Sequence, residues 1–364
     1  MNTDKIILQG NYEKERGIHY EVDPTLPLLG IGGSGAVRKG LLVDEKNGMT
    51  RAVAIKFLFD DLNESAIERS RREASIHIVH ENLVEMLGFI QVGQQDLYGK
   101  ATYHYHVVSE LLEGVMLTDM INGSFEEKSD SASPAVREFY QLFLEDRYAF
   151  AVKLIRSVLS GVLALHDNGF IHRDIDPNNI MITNEGKVKL IDLGIAKRMA
   201  NLTTQDGHTQ VGQFIGKAAY AAPEQVRGDV RSQNYTTDVY AIGIMFFQLV
   251  TGDLPFKGNM EEVIDQQINA KIPLKMIDDK GIRSIIKKAT EKKQKDRYQS
   301  AAEFRVALEQ LKRKSNPRPE SIVDNSDSDD DPDEQYQLPM YVKIIIGIVA
   351  SAIGVYVGIL LSNL

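Results

Sequence analysis

Leu29-Gly30-Ile31-Gly32-Gly33-Ser34-Gly35-Ala36-Val37 is followed fifteen residues later by Ala52-Val53-Ala54-Ile55-Lys56. The first run contains G-x-G-x-x-G-x-V after a strand-like segment. Glycines let a backbone come close to phosphates, where N–H groups contact the oxygens. Such a loop also serves dinucleotide-binding folds and plain turns, so the residues after it decide the reading. A dinucleotide fingerprint opens a helix and meets an acid about twenty residues on. Here a second strand-like run comes instead, and it ends on Lys56, twenty-one residues after Gly35. A lysine that closes an apolar strand is ordinarily a snorkelling surface residue. Its meaning therefore rests on the rest of the chain.

The flanking pattern is strand-like from Leu28 to about Leu112, with turn residues such as Asn47-Gly48 between short apolar runs. One helical stretch, Asp61 to about Val79, interrupts it. Helical periods dominate from Glu113 to about Lys314. Within that region Asn122 to Ser133 is polar and reads as an exposed insertion, and Val239 to Val250 reads as a buried helix too short to span a bilayer. Residues 1–25 are a mostly polar lead-in closed by Pro24 and Pro27, without the apolar core of a signal peptide. The first lobe is expected to stay in the compartment where it is made.

The 364 residues suffice for two compact lobes, and 43% hydrophobic with 26% charged residues is ordinary for a globular protein. Seven acids and no base lie between Asp324 and Glu334, so they account for much of the net charge of −9. Without a basic excess, nucleic acid is not an expected partner. The absence of cysteine excludes a disulfide scaffold and a thiolate zinc site. Residues 315–340 read as an acidic disordered linker. Ile344 to Leu361 gives eighteen residues without charge, roughly 27 Å as a helix, close to the thickness of a bilayer core. Only three residues follow that run in the sequence, which favours a membrane span at 341–363 over a core helix. Lys343 and Lys312-Arg313-Lys314 on its N-terminal side agree with a cytoplasmic catalytic domain. Gly354 and Gly358 form a G-x-x-x-G that permits close helix approach, and hence a homodimer.

Three further motifs settle the comparison. His172-Arg173-Asp174-Ile175-Asp176-Pro177-Asn178-Asn179 resembles the catalytic loop of eukaryotic-type protein kinases, Asp192-Leu193-Gly194 resembles their metal-binding motif, and Ala222-Pro223-Glu224 resembles the end of their activation segment. Their order and spacing fit, and the likeness runs from about Leu28 to Leu311. The resemblance is to bacterial Hanks-type Ser/Thr kinases. It implies an α+β bilobal fold, with a small β-rich N-lobe at 26–112 and a larger helical C-lobe at 113–314, followed by the C-terminal transmembrane helix.

The resemblance also implies roles. Phosphoryl transfer is mostly positioning and charge neutralisation. Asp174 would orient the substrate hydroxyl and accept its proton, and Asn179 and Asp192 would hold Mg²⁺, a hard cation suited to oxygen ligands. Lys56 would contact the ATP phosphates and pair with a helix glutamate, Glu73 from Arg71-Arg72-Glu73-Ala74, with Glu68 as the alternative. The 29–37 loop, Ala54, Ser109 at the gatekeeper position, Glu110 and Leu112 would surround the nucleotide. Asp238 would organise the catalytic loop, and Arg297 would pair with Glu224. Arg173 suggests control by a phosphate on the activation segment, with Thr203, Thr204 and Thr209 as candidates and Thr209 preferred. His77, His80, His104 and His106 have no accompanying acid cluster and read as ordinary residues.

Two positions depart from the family pattern. Asp176 stands where Ser/Thr kinases usually carry lysine, and Lys217 stands where they usually carry threonine. These residues suggest a positive charge moved across the site, with Lys217 serving the γ-phosphate and pairing with Asp176. The expected activity is a membrane-anchored protein kinase acting on Ser/Thr hydroxyls of protein substrates. The alternative is a pseudokinase that signals by conformation.

Overall fold

A computed structural model describes residues 5–95, 101–126, 132–193, 197–198 and 218–315, the backbone alone at 197–198 and 312–315. The Gly194 position, Thr203, Thr204, Thr209, Lys217, the linker and the apolar segment at 344–361 lie outside the described residues.

The chain opens with β1 (Ile6–Leu8), α1 (Asn11–Arg16) and β2 (Ile18–Val22). This corrects the reading of residues 1–25 as a lead-in. Leu8, Tyr20 and Val22 are buried, and together with Val53, Ile55, Ile90 and Val108 they form a small core on one face of the N-lobe sheet. Three apolar positions split by a polar helix carry too little periodicity to show as strands. Next come β3 (Gly30–Gly32), β4 (Gly35–Asp44), β5 (Thr50–Leu58), α2 (Glu64–Ala74), β6 (Met86–Gln95) and β7 (Ala101–Glu110). The sheet is antiparallel, in the order β1-β2-β4-β5-β7-β6, with β3 paired to β4. Gly48, at φ 70°, supplies the left-handed residue of the turn between β4 and β5. Helix α2 is shorter than the sequence pattern suggested. Asn63 caps its start by accepting the Ala66 N–H, and Ser75 ends it by turning its hydroxyl back onto the Arg72 carbonyl.

Below the hinge lie β8 (Gly114–Met116), α3 (Leu117–Ile121), α4 (Pro134–Glu145) and α5 (Arg147–Asp167). The reading of Asn122 to Ser133 as an exposed insertion does not hold at Phe125. Phe125 is buried and packs edge-on against Tyr140 of α4, whose Phe143 in turn meets Phe150 of α5. Helix α5 is long and apolar enough to cross a membrane, yet Phe150, Leu154, Val158 and Leu165 bury it in the lobe core. The chain continues through β9 (Phe170–Ile171), a 3-10 turn at Pro177–Asn179, β10 (Ile180–Thr183), β11 (Val188–Leu190) and β12 (Lys197–Arg198). β8, β10 and β11 form one small sheet, and β9 pairs with β12. Then follow α6 (Pro223–Val226), α7 (Tyr235–Thr251), α8 (Met260–Asn269), α9 (Lys280–Ala289) and α10 (Ala301–Ser315). Helix α7 contains the apolar run Val239 to Val250 and is buried along almost its whole length.

Candidate active site

The glycines of the first motif have different local needs. A Cβ at Gly35 would stand 2.2 Å from the Phe57 carbonyl oxygen, so the close pairing of β4 with β5 requires glycine there. Gly30 and Gly32 would meet nothing within 4 Å. Their lack of side chains is not demanded by packing and leaves the backbone approachable by a ligand.

Lys56 lies on β5 between Val37 of β4 and Val107 of β7. Of the two candidate glutamates, Glu73 is buried on α2, whereas Glu68 is exposed and pairs with Arg71 at 3.5 Å. Burial, then the charge of Asp192, raises Glu73 to a pKa of about 7, against the pull of Lys56 and a hydrogen bond from the Leu193 backbone N–H. Among the described residues, Glu73 and Lys56 form no direct ion pair. Glu73 thus lies within electrostatic reach of both Lys56 and Asp192.

The catalytic loop is held at several points. The Asn179 side-chain amide donates to the Asp174 carbonyl at 2.8 Å, and the Asn179 carbonyl accepts the Ile191 N–H at 2.9 Å, next to Asp192. Asp238 is fully buried and accepts from the backbone N–H groups of His172 and Arg173 at 2.9 and 2.7 Å and from His166 Nε2 at 2.8 Å. Burial opposes its charge, but the His166 hydrogen bond and neighbouring imidazoles hold its carboxyl below the usual range. Asp176 is buried, and its carboxylate caps the 3-10 turn by accepting the Asn178 N–H at 2.7 Å. It also raises the neighbouring Tyr220 phenol, though burial contributes more.

At the hinge, Glu110 Oε1 accepts the Glu85 N–H at 2.8 Å and Lys189 Nζ at 2.5 Å. Ser109, half-buried beside it, donates to the Glu110 carbonyl at 3.3 Å. Gly114 of β8 presses against the Ile182 carbonyl, and Leu112 packs partly buried against the main core. The four histidines have separate neighbours. His77 meets the Met86 carbonyl, His80 accepts the Asn82 N–H, His104 faces Asp60, and His106 is buried against Phe57. Among the described residues, no three His, Asp or Glu side chains gather as a metal cage. Asn179 and Asp192 supply oxygens that suit Mg²⁺, an ion that ordinarily takes its remaining ligands from water and phosphate.

Sequence reasoning missed three polar anchors. Lys189 ties the hinge to the strand before Asp192 and also donates to the Leu83 carbonyl. Gln225 bonds both Ala222 and Arg173, and buried Gln267 donates to the Ala218 and Ala219 carbonyls. None belongs to a motif, and glutamine in particular carries no charge pattern to notice.

The model of the protein kinase domain matches residues 25–313. The chain belongs to the protein kinase family. Within that family it is 32% identical over 335 residues to a probable serine/threonine-protein kinase of Clostridium perfringens, covering 90% of this chain and 42% of that one. It is 30% identical to the serine/threonine-protein kinase PrkC of Bacillus subtilis, covering 76% and 39%, and 30% identical to PknB of Mycobacterium leprae, covering 82% and 44%. The chain therefore spans less than half the length of these curated relatives. The kinase match begins at residue 25, after β1, α1 and β2, which nevertheless complete its N-lobe sheet.

Proposed function

We propose that the protein is an ATP-dependent kinase that transfers the γ-phosphate to Ser/Thr hydroxyls of proteins while anchored to a membrane by Ile344–Leu361. The observation that carries this reading is the convergence of Lys56, Glu73 and Asp192 beside a catalytic loop in which Asn179 grips the Asp174 carbonyl. Asp174 would orient the acceptor hydroxyl and take its proton. Lys56 would bind the α and β phosphates, and Asn179 and Asp192 would hold Mg²⁺, which neutralises phosphate charge when bound. Glu73 would orient Lys56, and Leu29, Val37, Ala54, Ser109, Glu110 and Leu112 would line the nucleotide. Lys217 would supply the positive charge that Asp176 does not, and Thr209 would be an autophosphorylation site. The G-x-x-x-G of the anchor would support a homodimer.

Asp176 also favours a second reading, a non-catalytic signalling module, because its carboxylate is spent on capping the loop. Incubating the full-length chain with Mg·ATP and casein, then mapping phosphate by mass spectrometry, separates the two. Phosphoserine or phosphothreonine on casein that is lost in Asp174→Asn supports the kinase. Nucleotide binding without transfer supports the module. A loss of rate in Lys217→Ala supports the relocated charge, and undiminished activity refutes it. Recovery of the full-length chain in the soluble fraction without detergent rules out anchoring.

A further inference from the structure

Gln225 uses both ends of its side-chain amide. Its Oε1 accepts the Ala222 N–H at 3.0 Å, a helix-capping contact at the start of α6, and its Nε2 donates to the Arg173 carbonyl at 2.8 Å. Arg173 precedes Asp174, and at φ 68° it is the one non-glycine residue with positive φ among those described. A residue with a side chain stays in that conformation only where its surroundings hold it.

The restraint comes from both sides. Asp238 Oδ1 accepts the Arg173 N–H at 2.7 Å, and Gln225 holds the carbonyl. The Arg173 carbonyl belongs to the peptide plane that leads into Asp174, whose N–H donates to His172 Nδ1 at 3.2 Å. The orientation of that plane sets where the Asp174 side chain begins. Asp238 restrains the two peptide planes before it, through the His172 and Arg173 N–H groups.

We infer that Gln225 is a positioning residue for Asp174, clamping the Arg173–Asp174 peptide to the segment that ends at Ala222. The role needs an acceptor and a donor on one neutral side chain of this length, which glutamine provides. Glutamate would keep the Ala222 contact but present no donor to the Arg173 carbonyl, and leucine would lose both bonds.

That difference separates positioning from simple helix capping. The inference rests on the kinase reading, and the test distinguishes the two. Full-length wild type, Gln225→Glu and Gln225→Leu are assayed with Mg·ATP and casein, alongside thermal unfolding. Both variants are expected to lose about tenfold in kcat while KM for ATP stays within about twofold, since small misplacements of a reacting group are expensive. Gln225→Glu, which keeps the Ala222 contact, is expected to lower the unfolding temperature less than Gln225→Leu does. Wild-type kcat in Gln225→Glu would overturn the inference, leaving Gln225 a helix cap only. If wild type transfers no phosphate, the kinase reading fails, and amide exchange over residues 171–175 decides the clamp alone. Faster exchange in Gln225→Glu then upholds it, and unchanged protection overturns it.

Discussion

Arg297 and Glu224 face each other through two parallel hydrogen bonds, Nη1 to Oε1 at 2.8 Å and Nη2 to Oε2 at 2.9 Å. Arg297 is 1% exposed, and its remaining donors reach the carbonyls of Glu291, Lys292 and Thr236, while Thr237 donates to Glu224. Burial alone would raise the Glu224 carboxyl, but Arg297 holds it below its usual range. Removing one partner would strand the other as a buried charge, so Arg297→Ala should lose on the order of 3–5 kcal/mol in urea unfolding. Arg297→Lys should recover only part, because an ammonium cannot reproduce the planar fork. A loss below 1 kcal/mol in Arg297→Ala would show the pair to be dispensable.

Glu73→Gln and Glu68→Gln should behave oppositely. Buried Glu73 lies within reach of both Lys56 and Asp192, so its neutral variant should lose at least tenfold in kcat/KM. Glu68, exposed and paired only with Arg71, should tolerate the change. Steady-state kinetics with equal losses in both variants would contradict the assignment.

His106 gives a stability that depends on acid. Burial, followed by the nearby His104, lowers its pKa to about 4 from an ordinary 6.5. The unfolded chain therefore takes up this proton first. The contribution is fully present above pH 6.5 and falls away as pH drops towards 4, by on the order of 3 kcal/mol at most. Urea unfolding at pH 7 and pH 5 should show a larger acid loss in wild type than in His106→Leu. Identical losses would refute the role of this imidazole.

Ser109 is a small residue at the position that the proposed function would set beside adenine. Nucleotide analogues with bulky N6 substituents should be accepted by wild type and rejected by Ser109→Met. Competition binding that ranks both proteins alike would remove the proposed pocket.

Gln267 connects the segment before α6 to a deeper network. It donates to the Ala218 and Ala219 carbonyls at 3.1 and 2.7 Å, accepts from Tyr240 at 2.6 Å, and Tyr240 in turn accepts from Lys292 at 2.9 Å. Gln267→Leu should raise KM for a protein substrate several-fold, with KM for ATP unchanged, because under the proposed function the released carbonyls would belong to the segment beside the acceptor. A selective rise in KM for ATP would point elsewhere.

The two lobes are legible in the sequence because their signals are local. The glycine loop, Lys56, Asp174 with Asn179, and Asp192 each lie in a short run; in the structure Lys56 pairs with Val37 beside the glycine loop, and Asn179 ties the Asp174 carbonyl to Ile191, next to Asp192. The sequence prefers Glu73 without excluding Glu68, because two glutamates on one helix differ only in which face is buried. Gln225 was not legible at all, since its partner Arg173 lies 52 residues away and a neutral amide has no charge signature. Phe125 was hidden for a related reason. A single aromatic in a polar run cannot announce that α4 will cover it.

Strand β2 pairs along Gly40 to Asp44 of β4, and β1 pairs along β2. A recombinant chain cut at residue 25, where the family match begins, would strip both strands away. Part of β4 would become a bare margin, with unanswered N–H and C=O groups beside the newly wetted Val53 and Ile55. Such a margin is a template for pairing with another molecule. The shortened domain should therefore form oligomers or precipitate at concentrations where a chain beginning at residue 5 stays monodisperse in light scattering.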